Sequence, residues 1–182
     1  MSNHALAKGF RLERRTVIAA TSTGVTKLIA ADYKAAEENL KQAVGLKRDL
    51  GTALYELGVV YERQNRLKDA IKQLESAAAT DFRNAGLAFE LGLLYYRDNQ
   101  KPKAFNEMSR AVAIFPNYAN ARWYMALMLE EVGRLDDAGT QLREILKTEE
   151  NKNNQTVLDK LAALEAGKRE IPPATVTSKQ PL

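Results

Sequence analysis

The chain has no cysteine and a single histidine, His4. Without cysteine there is no disulfide, no thiolate metal site, no cysteine nucleophile and no lipidated cysteine. One histidine near the start of the chain, with no partner cluster, leaves no histidine metal centre or nucleophilic triad to assemble. No run approaches the ~18 consecutive apolar residues that a membrane-spanning helix requires. Glycine-rich phosphate loops are also missing, because the glycines that recur do so singly, inside apolar helical patterns.

Charge of one sign is scarce where it would matter. Of the net +4, residues 1–15 carry +3 and residues 168–182 carry +2, so 16–167 carry −1. A nucleic-acid binder concentrates positive charge on its folded body, and here the basic residues sit at solvated, flexible ends. Nucleic acid is therefore not an expected partner. "RRTVIAA" loosely resembles a twin-arginine export signal, but Thr21, Ser22, Thr23, Thr26 and Lys27 interrupt the apolar stretch. It reads as structure instead of a cleaved address.

What the chain does have is a period. The "ELG" glycines Gly58 and Gly92 stand 34 residues apart, and the same step reaches Gly24 behind and Ala126 ahead. Ala36, Ala70, Ala104 and Ala138 keep step, as do Leu40, Leu74, Met108 and Leu142, then Ala43, Ala77, Ala111 and Ile145. Within one period Leu54, Leu57, Gly58 and Tyr61 mark one face of a helix, and Leu67, Ala70, Ile71, Leu74, Ala77 and Ala78 mark another. Between them "RQNR", "RDNQ" and "EVGR" suit a tight turn. Each period is expected to be two short antiparallel helices, with Gly58 set against Ala70 so that the backbones approach closely.

The pattern resembles the tetratricopeptide repeat, which has 34 residues and the consensus W-x2-L-G-x2-Y, A-x3-F, A, P. Leu57-Gly58-Tyr61 with Ala70, Leu74 and Ala77 matches it, and Leu91-Gly92-Tyr95 with Ala104, Met108, Ala111 and Pro116 matches best. Met125-Ala126-Leu129 with Ala138, Leu142 and Ile145 keeps the type, with Glu150 where proline is usual. The first period has a good second helix, "DYKAAEENLKQAV", but keeps only Gly24 from the motif in its first. The resemblance implies an all-α, right-handed α-solenoid of about four helix-turn-helix repeats at 17–50, 51–84, 85–118 and 119–152. An N-terminal segment 1–16 precedes the array. A capping helix at 153–169 follows, with an apolar stripe of Val157, Leu158, Leu161 and Leu164, and then a disordered tail at 170–182.

Acidic pairs at Glu37-Glu38, Glu130-Glu131, Asp136-Asp137 and Glu149-Glu150 are expected on exposed faces or near turns, where they favour helix starts and solubility. Catalysis would need them to converge in a water-poor pocket, so no enzyme activity, cofactor or metal is expected. The informative positions lie beside the packing residues. If Leu57, Gly58 and Tyr61 turn inward, positions 55, 59 and 62 share the adjacent face, which in the family lines a concave groove. Through three repeats that face carries Tyr55, Phe89 and Trp123, then Val59, Leu93 and Leu127, with Tyr96 and Arg97 at a charged rim.

Three readings stay open: a groove for a peptide, side chains buried within the array, or a groove filled by a second copy. Chaperone-tail recognition by a lysine- and asparagine-lined groove does not fit, since no such residues stand at these positions. The expectation is a protein–protein interaction scaffold that binds an apolar or amphipathic peptide or helix, with the cytoplasm the favoured compartment. The alternatives are a homo-oligomerisation module with its edge at Ile18, Val25, Leu28 and Ile29, or the regulatory repeat region of a larger protein.

Overall fold

A computed structural model describes the backbone of residues 3–46 and 51–170, and the side chains of 16–46 and 51–167. Among the described residues there are nine helices and no strand: α1 (Asn3–Ile29), α2 (Tyr33–Leu46), α3 (Gly51–Arg63), α4 (Leu67–Thr80), α5 (Ala85–Arg97), α6 (Lys101–Ile114), α7 (Ala119–Glu131), α8 (Leu135–Leu146) and α9 (Gln155–Glu170). The helices pair within each period, α1 with α2, α3 with α4, α5 with α6 and α7 with α8. This is the all-α helical-repeat architecture of the solenoid class. The chain divides into two compact units, Met1–Ile114 and Phe115–Leu182.

The turn between paired helices is the same object four times. Ala31, Asn65, Asn99 and Gly133 take left-handed backbone, with φ of 58°, 59°, 57° and 76°. Each turn closes with an amide reaching back five residues, from Asp32 to Lys27, Arg66 to Tyr61, Gln100 to Tyr95 and Arg134 to Leu129, at 2.8–2.9 Å. That geometry caps the first helix of a pair and reverses the chain in the fewest residues. The following helix then starts on the carbonyls of the residues that donated, the Ala36 amide bonding to Asp32, Ala70 to Arg66, Ala104 to Gln100 and Ala138 to Arg134.

Close packing of each pair follows from the small residues. Ala36, Ala70, Ala104 and Ala138 are fully buried, as are Leu40, Met108 and Leu142. At Gly58 a Cβ would stand 2.0 Å from Leu74 Cδ1 and 3.4 Å from the Ala70 carbonyl oxygen, so the missing side chain is where the second helix rests. Gly24 against Leu40 and Gly92 against Met108 repeat the contact.

Two expectations change. Helix α1 begins at Asn3, so the basic N-terminal segment is helical from that residue instead of a flexible end. In α9, which packs on α8, Val157 and Leu164 are buried but Leu158 is 38% exposed and leaves the apolar stripe. The ion pairs Lys160–Glu130 (2.5 Å) and Arg143–Glu165 (3.4 Å) tie α9 to α7 and α8. The expected tail lies outside the described residues, apart from Glu170 at the end of α9.

Candidate functional site

In the first unit, the sequence pattern turns the faces of α3 and α5 as expected for the packing residues. Leu57, Gly58 and Tyr61 are buried, and so are Leu91, Gly92 and Tyr95. Beside them Tyr55, Val59, Leu93 and Tyr96 are half-buried and Arg97 is exposed. Phe89 departs from this set: at 8% exposure it belongs to the core. Its ring is thus a packing element of α5. Arg97 on α5 pairs with Glu62 on α3, which joins the far ends of the two helices at the rim.

A cleft of about 420 Å³ opens where the start of α3, the end of α4 and the start of α5 meet. Tyr55, Thr80, Asp81, Asn84, Leu87 and Glu90 are among its walls. The α4–α5 connection that forms one side is fixed by Asn84, whose side-chain oxygen caps α5 by accepting from the Leu87 amide at 3.0 Å and whose Nδ2 donates to Asp81 at 3.1 Å. Arg110 on α6 steadies the same connection, donating to the Phe82 carbonyl at 2.7 Å with its guanidinium 4.7 Å from the Phe82 ring centre.

In the second unit Met125, Ala126 and Leu129 are buried, while Trp123 and Leu127 are half-buried. Trp123 lines a cleft of about 290 Å³ with Asn120, Ile145, Asn151, Asn154 and Val157 among its neighbours. The two clefts occupy the same place in the repeat, two periods apart: Thr52 and Asn120, Tyr55 and Trp123, Ala77 and Ile145 are corresponding positions. Arg122 is engaged within the unit, donating to the Pro116 carbonyl at 3.0 Å and to Gln141 at 2.8 Å.

The electrostatics separate structural from available carboxylates. Burial would push Glu37 up, but hydrogen bonds from Lys41, Gln64 and Arg66 outweigh it and hold its pKa at about 2. Far from being a solvated half of an acidic pair, Glu37 ties α2 to the turn after α3, at 3.0 Å from Arg66. Glu56 is pushed up by burial, and Glu90 by burial and then by the charge of Glu62. These two stand one period apart, each next to a ring, Tyr55 or Phe89. The reading from sequence missed them, because the position after the aromatic looks like an ordinary exposed glutamate until the packing around it is known.

Among the described residues no three histidine, cysteine, aspartate or glutamate side chains gather as a metal site, and no helix is long and apolar enough to cross a membrane.

No curated protein matches the chain in sequence. Among solved structures, MamA shares 26% identity at a TM-score of 0.71, covering 82% of this chain and 87% of that one. YrrB, described as a tetratricopeptide-repeat protein with an unusual peptide-binding site, shares 21% identity at a TM-score of 0.75, over 92% and 86% of the two chains. PilF of Pseudomonas aeruginosa shares 21% at 0.68, over 87% and 71%. The family model for the tetratricopeptide repeat matches residues 27–86 and 89–154. With the period, the repeated turn and the paired helices all in register, the chain belongs to the tetratricopeptide-repeat family.

Proposed function

We propose that this protein, an interaction scaffold by its repeats, takes an apolar or amphipathic peptide or helix on the faces of its first helices. Tyr55, Val59, Leu93, Tyr96 and Arg97 form that face in the first unit, and Trp123 and Leu127 in the second. Phe89 supports the face from beneath. The observation that carries the reading is the pair of corresponding clefts, each walled by a large half-buried aromatic, Tyr55 in one and Trp123 in the other. Aromatic anchors in partly desolvated pockets supply much of the energy at such interfaces. YrrB, similar in fold, is described as binding a peptide, which supports the same use here. Capture of partners from the source cell by wild type and by the Tyr55→Ala, Trp123→Ala double variant tests it. Recovery is expected to fall with the fold intact by circular dichroism; equal recovery removes the clefts from the function.

Self-association is favoured by one observation: Ile18 and Ile29 on α1 are 66% and 82% exposed. Exposed apolar side chains on one helix face are a feature of association surfaces. Sedimentation of the full chain over a range of concentrations decides this reading, since a persistent monomer dismisses it.

A further inference from the structure

The cleft of the first unit is acidic. Its wall carries Asp81 and Glu90 and no lysine, arginine or histidine. Three other half-buried carboxylates in this unit are matched by cations: Glu37 by Lys41 and Arg66, Glu62 by Arg97, Glu107 by Arg110. Asp81, Glu90 and the neighbouring Glu56 form no ion pair among the described residues. A carboxylate drawn partly out of water without a counter-charge disfavours its own ionised form, and Glu90 titrates in that direction. The ring of Tyr55 shares the wall, and a cation is attracted to an aromatic face as well as to a carboxylate. The corresponding cleft of the second unit is lined by Asn120, Asn151 and Asn154 in place of charged groups. Acidity is thus a property of one cleft and not of the repeat.

Resting on the peptide-binding reading above, we infer that the first-unit cleft receives a lysine or arginine side chain of the partner peptide, its charge held by Glu90 and Asp81 and its stem lying along Tyr55. The peptide is therefore basic and amphipathic: the apolar positions lie on Val59 and Leu93, and the cation enters at the end of the face where α3 and α5 begin. A cleft of about 420 Å³ is of the size that small ligands and long side chains fill. Because the attraction is between charges near the surface, affinity falls as salt rises.

The test uses the full chain and a random-peptide phage library as probe, followed by fluorescence anisotropy on the selected peptides. Lysine or arginine is expected to be enriched at one position. Exchange of that residue for glutamine is expected to weaken binding roughly tenfold, the scale of one charged contact. Glu90→Gln, nearly isosteric and so expected to fold, weakens it by a similar factor, and the two changes together cost little more than either alone. Selected peptides that are acidic or lack the basic residue, or that bind Glu90→Gln as tightly as wild type, overturn the inference. Leu93→Asn separates the two levels. If it weakens peptides that ignore Glu90, the face binds peptide but not by charge; if no selected peptide responds to Leu93→Asn, the peptide-binding reading fails and this inference with it.

Discussion

The phenol of Tyr95 on α5 donates its hydrogen to the carboxylate of Glu75 on α4, 20 residues earlier. One period back, Tyr61 stands in the same relation to Lys41, whose ammonium lies 5.9 Å from the ring centre. The repeated tyrosine thus meets the preceding second helix at one fixed position and accepts either charge there. Each such contact joins one helix pair to the next, which is the interface on which a repeat array depends. Lys103 adds a cation 5.0 Å from the Tyr95 ring, so the ring and the hydroxyl are both used.

Removal of that hydroxyl therefore tests the coupling between pairs. Tyr95→Phe is expected to cost about 1.5–3 kcal/mol in urea denaturation, the usual worth of one hydrogen bond to a charged acceptor. Burial first, and then the hydrogen bond to Glu75, push the Tyr95 phenol up. Glu75→Gln should accordingly bring the Tyr95 phenol to ionise at a lower pH, read by tyrosinate absorbance. No change in that titration breaks the assignment.

The Glu37 network makes a prediction about acid. Glu37 is held at about 2, below its ordinary 4.5. A depressed carboxylate stabilises the fold above the unfolded-state value, and that contribution is lost as pH falls from there through the folded value. Thermal melts of wild type and Glu37→Gln should differ most near neutral pH, converge below about pH 4, and coincide by about pH 2. A constant difference across that range would falsify the ion-pair account and leave packing as the cause.

The four left-handed turns predict opposite effects from reciprocal substitutions. Ala31 carries a φ of 58° that costs an ordinary L-residue roughly 1–2 kcal/mol. Ala31→Gly relieves it, partly offset by glycine's greater unfolded-state entropy, for a net gain of about 0.5–1 kcal/mol. Gly133→Ala should lose a similar amount, since a Cβ there meets nothing within 4 Å and only the backbone objects. Asn, found at positions 65 and 99, should fall between the two. Differential scanning calorimetry ranks the variants, and an Ala31→Gly variant less stable than wild type overturns the argument.

The period carried the fold into view because the same physical demand recurs in each repeat. Gly58, Gly92 and the alanines facing them are legible since only minimal side chains permit that helix spacing, and "RQNR" and "RDNQ" are legible since asparagine tolerates left-handed backbone. The site was only half legible. Spacing placed Tyr55, Val59, Leu93 and Trp123 beside the packing face, but spacing alone could not tell Phe89 from them. How far a ring sinks depends on the surrounding helices, which a single helix pattern does not encode. The same blindness hid Glu90, whose character comes from a cleft wall that α3, α4 and the turn at Asp81 build together. Glu37 was misread for the opposite reason: beside Lys41 four residues on, it meets a second cation, Arg66, that lies 29 residues away in sequence.

Glu90 separates stability from binding in the free protein. Burial raises its pKa, so the folded state holds its proton more tightly than the unfolded chain. Its contribution is favourable below the unfolded-state value and is lost as pH rises through the raised folded-state one. At neutral pH the ionised group opposes folding, and Glu90→Gln should melt at or above the wild-type temperature. On acidification, that advantage should shrink as wild-type Glu90 takes up its proton. A residue retained for packing would behave in the reverse way, with the variant melting lower at neutral pH. Melting curves of the two proteins at neutral and acid pH therefore show whether the carboxylate serves the fold or stands ready for a partner's cation, and a destabilised Glu90→Gln at neutral pH decides for the fold.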